Sequence, residues 1–215
     1  MRPVSRRLCL AAAMLLGLLL AGCSRPLTEA ERGFAEGLFG PTLDVERVRV
    51  TRGLGLAPLP EPGPARARVV ALKDEPCRRE PQPGSWGPPP AFALWNRMHL
   101  SRERYTPEML PGWPDYARLP HVFYLVHELV HVWQWQNRAV TGYAPQRAFG
   151  EGLRVSDPYY YEVTAARPFH AYGYEQQASI VEDWLCHRLF DPDNPRRAML
   201  EAILGPVFPL DLPGR

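Results

Sequence analysis

The sequence predicts a helix-rich α+β domain, and three observations carry that reading. Four segments show helical hydrophobic spacing with start or stop signals. A few short stretches alternate like strands. Prolines (25) and glycines (17) among 215 residues mark long irregular connections. Hydrophobic residues at 46% and charged residues at 22% are ordinary for a globular chain and exclude a disordered or fibrous one. The length suits a single domain.

Residues 1–22 stand apart. Arg2, Arg6 and Arg7 precede an apolar run from Leu8 to Ala21. Fourteen residues are too few for a bilayer span of about 20 and suit an export signal. The run ends in Leu20-Ala21-Gly22-Cys23, which resembles a bacterial lipobox. That resemblance implies cleavage before Cys23, lipidation of its sulfur with diacylglycerol and palmitate, and a membrane anchor. A simple signal peptide with a chance cysteine is the plainer alternative. Ser24 in place of aspartate points to the outer membrane, facing the periplasm. The expected division is a lipoprotein signal peptide over 1–22, a lipidated tether over 23–27, and one domain over 28–215. Removing residues 1–22 takes away three arginines and no acid, leaving 22 basic and 23 acidic side chains. Nucleic acid is therefore excluded as a partner on electrostatic grounds. Cys77 and Cys186 remain as two thiols in an oxidising compartment and are expected to pair, with two separate buried thiols as the alternative.

Along the rest of the chain, Thr28-Glu29-Ala30-Glu31 has the capping-box pattern. Ala30, Phe34 and Leu38 follow at helical spacing, and Gly40-Pro41 ends the helix. Val48 and Val50 alternate with polar neighbours, as in a half-buried strand. From Pro58 to Pro90 there are ten prolines, so a loop is expected there with one strand over 67–72. A further strand is expected from Phe92 to Leu100. Pro120 to Val140 is the strongest helix, and 150–174 reads as irregular and tyrosine-rich. Ala178, Val181, Leu185 and Leu189 make the apolar stripe of a helix from Tyr174 to Leu189. Asn194, Pro195 and Gly205 bracket the last one.

The chemistry lies in His127-Glu128-Leu129-Val130-His131. On a helix, positions i and i+4 share a face, so two imidazoles can converge on one cation. Zn–N bonds of ~2.0–2.1 Å suit that spacing. Glu128 borders the metal without binding it, the place of a general base for a metal-bound water. An open catalytic zinc site takes three protein ligands. Glu175, at the start of the next strong helix, is the expected third, with Glu182 and His170 as rivals. Ser179, Glu182 and Asp183 are candidates to orient the ligands, and His170, Tyr172 and Tyr174 to stabilise an oxyanion. Zinc follows from His/His/Glu chemistry and availability.

HELVH followed by Trp133-Gln134-Trp135-Gln136, together with EQQASIVEDW from Glu175, resembles the gluzincin-type zinc metallopeptidases. The nearest subgroup is the one found beside Vgr and Rhs elements. The likeness is strongest over 120–190, with a weaker echo at Phe39-Gly40 and Val48–Val50. It implies a zincin-like core in which the HExxH helix packs on a glutamate-bearing helix, next to a small irregular β region. It also implies one Zn2+ on His127, His131 and Glu175, with Glu128 as the base in peptide-bond hydrolysis. Where that family carries an aspartate four residues after the ligand glutamate, this chain has Ser179. Two functional expectations follow. One is an envelope metallopeptidase acting on a peptide or protein substrate. The other is a zincin-fold binding or assembly module with weak or no turnover. An envelope lipoprotein without metal is the alternative to both.

Overall fold

In a computed structural model the protein is described over residues 23–60, 77–81, 89–164 and 167–213. The export segment and the strand expected over 67–72 lie outside those residues. The observed class is α+β, with six helices and one small mixed sheet among the described residues.

The chain opens with β1 (Ser24–Arg25), which pairs antiparallel with β2 (Arg49–Arg52). Residues 23–27, expected as a tether, are packed instead. Cys23 and Leu27 are buried, and the Arg25 guanidinium lies 2.6 and 2.8 Å from the Glu31 carboxylate. Helix α1 (Glu29–Phe39) follows. Its N-terminus is closed reciprocally: Thr28 Oγ1 accepts from the Glu31 amide at 3.3 Å, and the Glu31 carboxylate accepts from the Thr28 amide at 3.0 Å. Glu31 also accepts from the Met109 amide, so this fully buried charge has partners on every side.

The sheet order is β1-β2-β4-β3, with β3 at Ala91–Leu94 and β4 at Arg97–Leu100. The single strand expected over Phe92–Leu100 is a hairpin. Trp95 adopts φ 56° and turns the chain within two residues. The positive φ falls on the first turn residue, where glycine is usual, and here that residue is Trp95; Asn96 beside it is the one turn-forming residue at this point.

Helix α2 (His121–Gln136) runs through the middle of the molecule. Val122, Leu125, Val126, Leu129, Val130, Val132 and Trp133 are all buried. A helix apolar on nearly every side must be covered on every side. It packs on the sheet through β3 and β4, on α1, and most extensively on α5 (Tyr174–Phe190). Two short helices, α3 (Arg138–Thr141) and α4 (Pro145–Gly152), join them. The stretch expected to be irregular after Gly150 thus contains the end of α4. Helix α6 (Pro195–Leu204) is capped by the Asn194 side chain and covers the far side of α5, where Trp184 is fully buried. A disulfide joins Cys77 to Cys186 across 109 positions, with Cα atoms 5.5 Å apart. No helix among the described residues is long and apolar enough to cross a membrane.

Candidate metal centre

α2 and α5 bring three donors to one point. His127 and His131 stand one turn apart on α2, and Glu175 lies in the first turn of α5. Glu175 Oε2 is 3.1 Å from His127 Nε2 and 3.2 Å from His131 Nε2, and the two nitrogens are 3.3 Å apart. Four ligands at ~2.0–2.1 Å around a tetrahedral ion are separated from one another by about 3.3 Å. The three observed spacings fit one face of such a tetrahedron. Two imidazoles and a carboxylate are also the donor chemistry that zinc accepts, so the residues fit the ion.

α5 starts where it does because of a close approach. The Glu151 carboxylate on α4 accepts from the Tyr174 amide at 2.9 Å. A Cβ on Gly173 would meet that same carboxylate, so glycine here lets the Glu151 side chain lie against the start of the helix. Gln176 accepts from the Gly173 amide at 3.0 Å. Glu175 thereby projects from a fixed first turn, where the helix dipole favours a carboxylate.

Outside the three donors, each imidazole is held from behind. His127 Nδ1 is 3.2 Å from Glu182 Oε2, and His131 Nδ1 is 2.9 Å from Gln134 Oε1. The Gln134 amide nitrogen donates to the Tyr174 carbonyl and to Gln177 Oε1, tying α2 to α5 once more. Partners of this kind fix ring orientation and leave Nε2 free to ligate. Glu182, a rival for third ligand, orients His127 instead. Asp183 turns away to Arg79 and the Tyr161 hydroxyl, the latter at 2.7 Å. Ser179 is buried, and its hydroxyl has no hydrogen-bond partner among the described residues, so it does not replace the missing aspartate.

The electrostatics follow from this crowding. Burial alone would lower the pKa of His127, but hydrogen bonds to Glu175 and Glu182 outweigh it and raise it to about 10. Burial opposes ionisation of Glu175, yet the two imidazoles hold it well below the usual carboxylate range. Glu128 stands beside the three donors, buried, with Oε2 lacking a partner among the described residues. Burial pushes it up to about 7 against the pull of His127 and His131.

The donors lie on the wall of a cleft of about 1150 Å³. Tyr143 and Tyr159 flank it, with ring centres 6.0 Å from His131 and 5.8 Å from His127. Phe149 and Leu153 on its rim are 71% and 64% exposed. The expected oxyanion residues are elsewhere. His170 is exposed and stacks on Trp133, and the Tyr172 hydroxyl bonds to the Glu162 carbonyl. Tyr174 does not line the cleft, and its ring packs edge-on against Tyr143. Reasoning from sequence missed Tyr143, Tyr159 and Arg79. Gln134 had a readable signal, three residues after His131 on the same face.

Comparison with known proteins corrects the functional expectation. No family model matches the chain. The type VI secretion system spike protein VgrG2b of Pseudomonas aeruginosa is 27% identical over 187 residues, covering 82% of this chain. The chain spans 15% of the length of that relative. A solved structure, the effector domain of Pseudomonas aeruginosa VgrG2b, covers 92% of this chain and 93% of its own at 25% identity, with a TM-score of 0.49. The gluzincin-type metallopeptidase membership read from HELVH and EQQA is therefore not upheld, because the similarity runs to a secretion spike protein and no peptidase family model matches. Glu128 as general base and peptide hydrolysis fall with it, and so do the metallopeptidase and zincin labels. The lipoprotein reading gains no support from these relatives either, and the sulfur-bearing Cys23 is only 5% exposed.

Proposed function

We propose that this chain is a metal-holding binding module that docks a protein component of a secretion apparatus in the bacterial cell envelope. The observation that carries it is the convergence of His127, His131 and Glu175 on the wall of a cleft with an exposed apolar rim. We assign one Zn2+ to these three side chains. When bound, the ion supplies a cross-link between α2 and α5 and a Lewis-acidic point in the cleft. An HExxH helix packed on a glutamate-bearing helix is the finer architecture this reading favours, supported by the extensive α2–α5 contact. The similarity to a secretion spike protein supports a protein as the partner. The cleft rim suits one, since exposed Phe149 and Leu153 are the kind of apolar patch that interaction sites use. The envelope as location is supported by the Cys77–Cys186 disulfide and by the arginine-led apolar segment at the start of the chain.

Metal content of protein purified without chelators tests the first half. The wild type should carry about one zinc per chain, and His127→Ala should carry almost none. A wild type that stays empty after zinc is added would refute it. For the second half, an immobilised type VI spike protein should retain the chain and lose it when Phe149 and Leu153 become serine. A spike surface that never retains the wild type overturns the partner reading.

A further inference from the structure

Behind the metal donors lies a second layer that is fastened covalently. Cys186 sits one turn beyond Glu182 on α5 and is disulfide-bonded to Cys77. Two residues after Cys77, Arg79 reaches back onto the same helix. Its Nε is 3.1 Å from both oxygens of Asp183, and its Nη2 is 2.7 Å from Asp183 Oδ1 and 3.4 Å from Glu182 Oε2. That Glu182 oxygen is the one facing His127 Nδ1 at 3.2 Å. A continuous chain of contacts therefore runs from the disulfide through Arg79 and Glu182 to a metal-donating imidazole.

We propose that the Cys77–Cys186 disulfide holds Arg79 against Glu182 and thereby sets the affinity of the His127, His131, Glu175 site for its metal, so that this affinity depends on the redox state of the two cysteines. The inference rests on the metal reading above. Three physical steps make it up. Glu182 accepts from His127 Nδ1–H, which leaves the Nε2 lone pair aimed at the point shared with His131 and Glu175. Arg79 holds Glu182 in place inside the fold, with its guanidinium 3.4 Å from the carboxylate oxygen that faces His127. The disulfide keeps Arg79 there, because Cys77 is covalently joined to the helix that carries its two carboxylates. Without that bond, residues 77–81 lose their covalent hold on α5. Reduction by a phosphine balances simply. The Sγ–Sγ bond breaks, phosphorus gives up two electrons, and water supplies two protons to the thiolates and its oxygen to the phosphine oxide.

Arg79 is thus a positioning residue, remote from the ion it affects. The test uses the full chain, with zinc chloride titrated in competition with a chromophoric chelator after any phosphine has been removed under inert gas. Oxidised wild type should bind zinc about ten- to a hundredfold more tightly than reduced protein or Cys77→Ser/Cys186→Ser, the size usual for loss of an outer-shell partner. Arg79→Gln should show the same loss with the disulfide intact, and Arg79→Lys should recover part of it. In a Glu182→Gln background, breaking the disulfide should change affinity less than about threefold, because the link it acts through is already gone. Far-UV circular dichroism on each variant confirms that the helices persist. Should the serine pair fail to fold, zinc affinity of Arg79→Gln in oxidised protein decides between the outcomes alone. Equal zinc affinity in oxidised wild type and in the disulfide-free or Arg79→Gln protein overturns the inference and leaves the metal site standing. So does an undiminished redox effect in Glu182→Gln. A wild type that takes up no zinc sinks the metal reading itself, and this inference with it.

Discussion

Replacing Glu175 by glutamine removes one anionic donor while keeping nearly the same volume in the first turn of α5. The size of the effect can be worked from the site. Structural zinc in small peptides contributes about 10–16 kcal/mol over four ligands, or about 3 kcal/mol per donor. Glu175 Oε2 is the donor that touches both imidazoles, at 3.1 and 3.2 Å, so its loss removes one full vertex. A loss of about 3 kcal/mol is roughly a hundredfold in affinity. At a zinc concentration a hundred times the wild-type Kd, the ion stabilises the wild type by about 2.7 kcal/mol. For a chain of this size that is an upward shift in Tm of about 5–11 °C. The variant, its Kd now near the zinc concentration, gains about 0.4 kcal/mol, or roughly 1 °C. Differential scanning calorimetry with and without zinc reads both numbers. An equal zinc-induced shift in wild type and Glu175→Gln would refute the assignment of Glu175 as a ligand.

Other outcomes follow from the same geometry. In metal-free protein His127 keeps a proton at neutral pH, since hydrogen bonds to Glu175 and Glu182 outweigh burial and raise it to about 10. Zinc uptake at pH 7 should then release a proton into weakly buffered solution, and affinity should weaken as pH falls. The sign for apo stability is opposite: a raised imidazole pKa stabilises fully below about 6.5, and that contribution is lost as pH climbs toward 10, which urea midpoints at the two ends will show. Trp184→Ala, at a fully buried position between α5 and α6, should cost about 3–5 kcal/mol in urea unfolding. Gly37→Ala should destabilise by about 1–3 kcal/mol despite the better helix propensity of alanine. Its Cβ would meet the backbone carbonyl of Asp211, whose amide donates to Gly37 O at 2.8 Å.

Much of this architecture is legible in the residues because its causes are local. The Thr28 capping box, the Asn194-Pro195 start and the stripe through Ala178, Val181 and Leu185 each lie within a few positions. The His127–His131 pair is equally local, one turn of helix. The place of Glu175 at the head of a helix favours it over Glu182 and His170, and the fold puts its carboxylate beside both imidazoles. What escapes depends on distance along the chain. Arg79 sits in a proline-rich stretch, and its partner Asp183 is 104 positions away, so no local pattern announces it. α4 carries two glycines among eight residues, and its Glu151 meets the start of α5 rather than anything nearby. The Trp95 turn lacks the glycine that would have divided Phe92–Leu100 into two strands. Function is the least legible part. HExxH names a metal chemistry, and the resemblance built on it points to a peptidase family, whereas the similarity found runs to a spike protein.

The bridge between Cys77 and Cys186 encloses α2 and the greater part of α5 in one covalent ring, with His127 and His131 on one arc and Glu175 on the other. A single proteolytic cut in the connection between these helices would open the polypeptide without parting its pieces. The half with the imidazoles would stay stapled to the half with the carboxylate. A nicked molecule of two chains therefore keeps all three donors together, and falls into separate fragments only when the sulfur–sulfur bond is also cut.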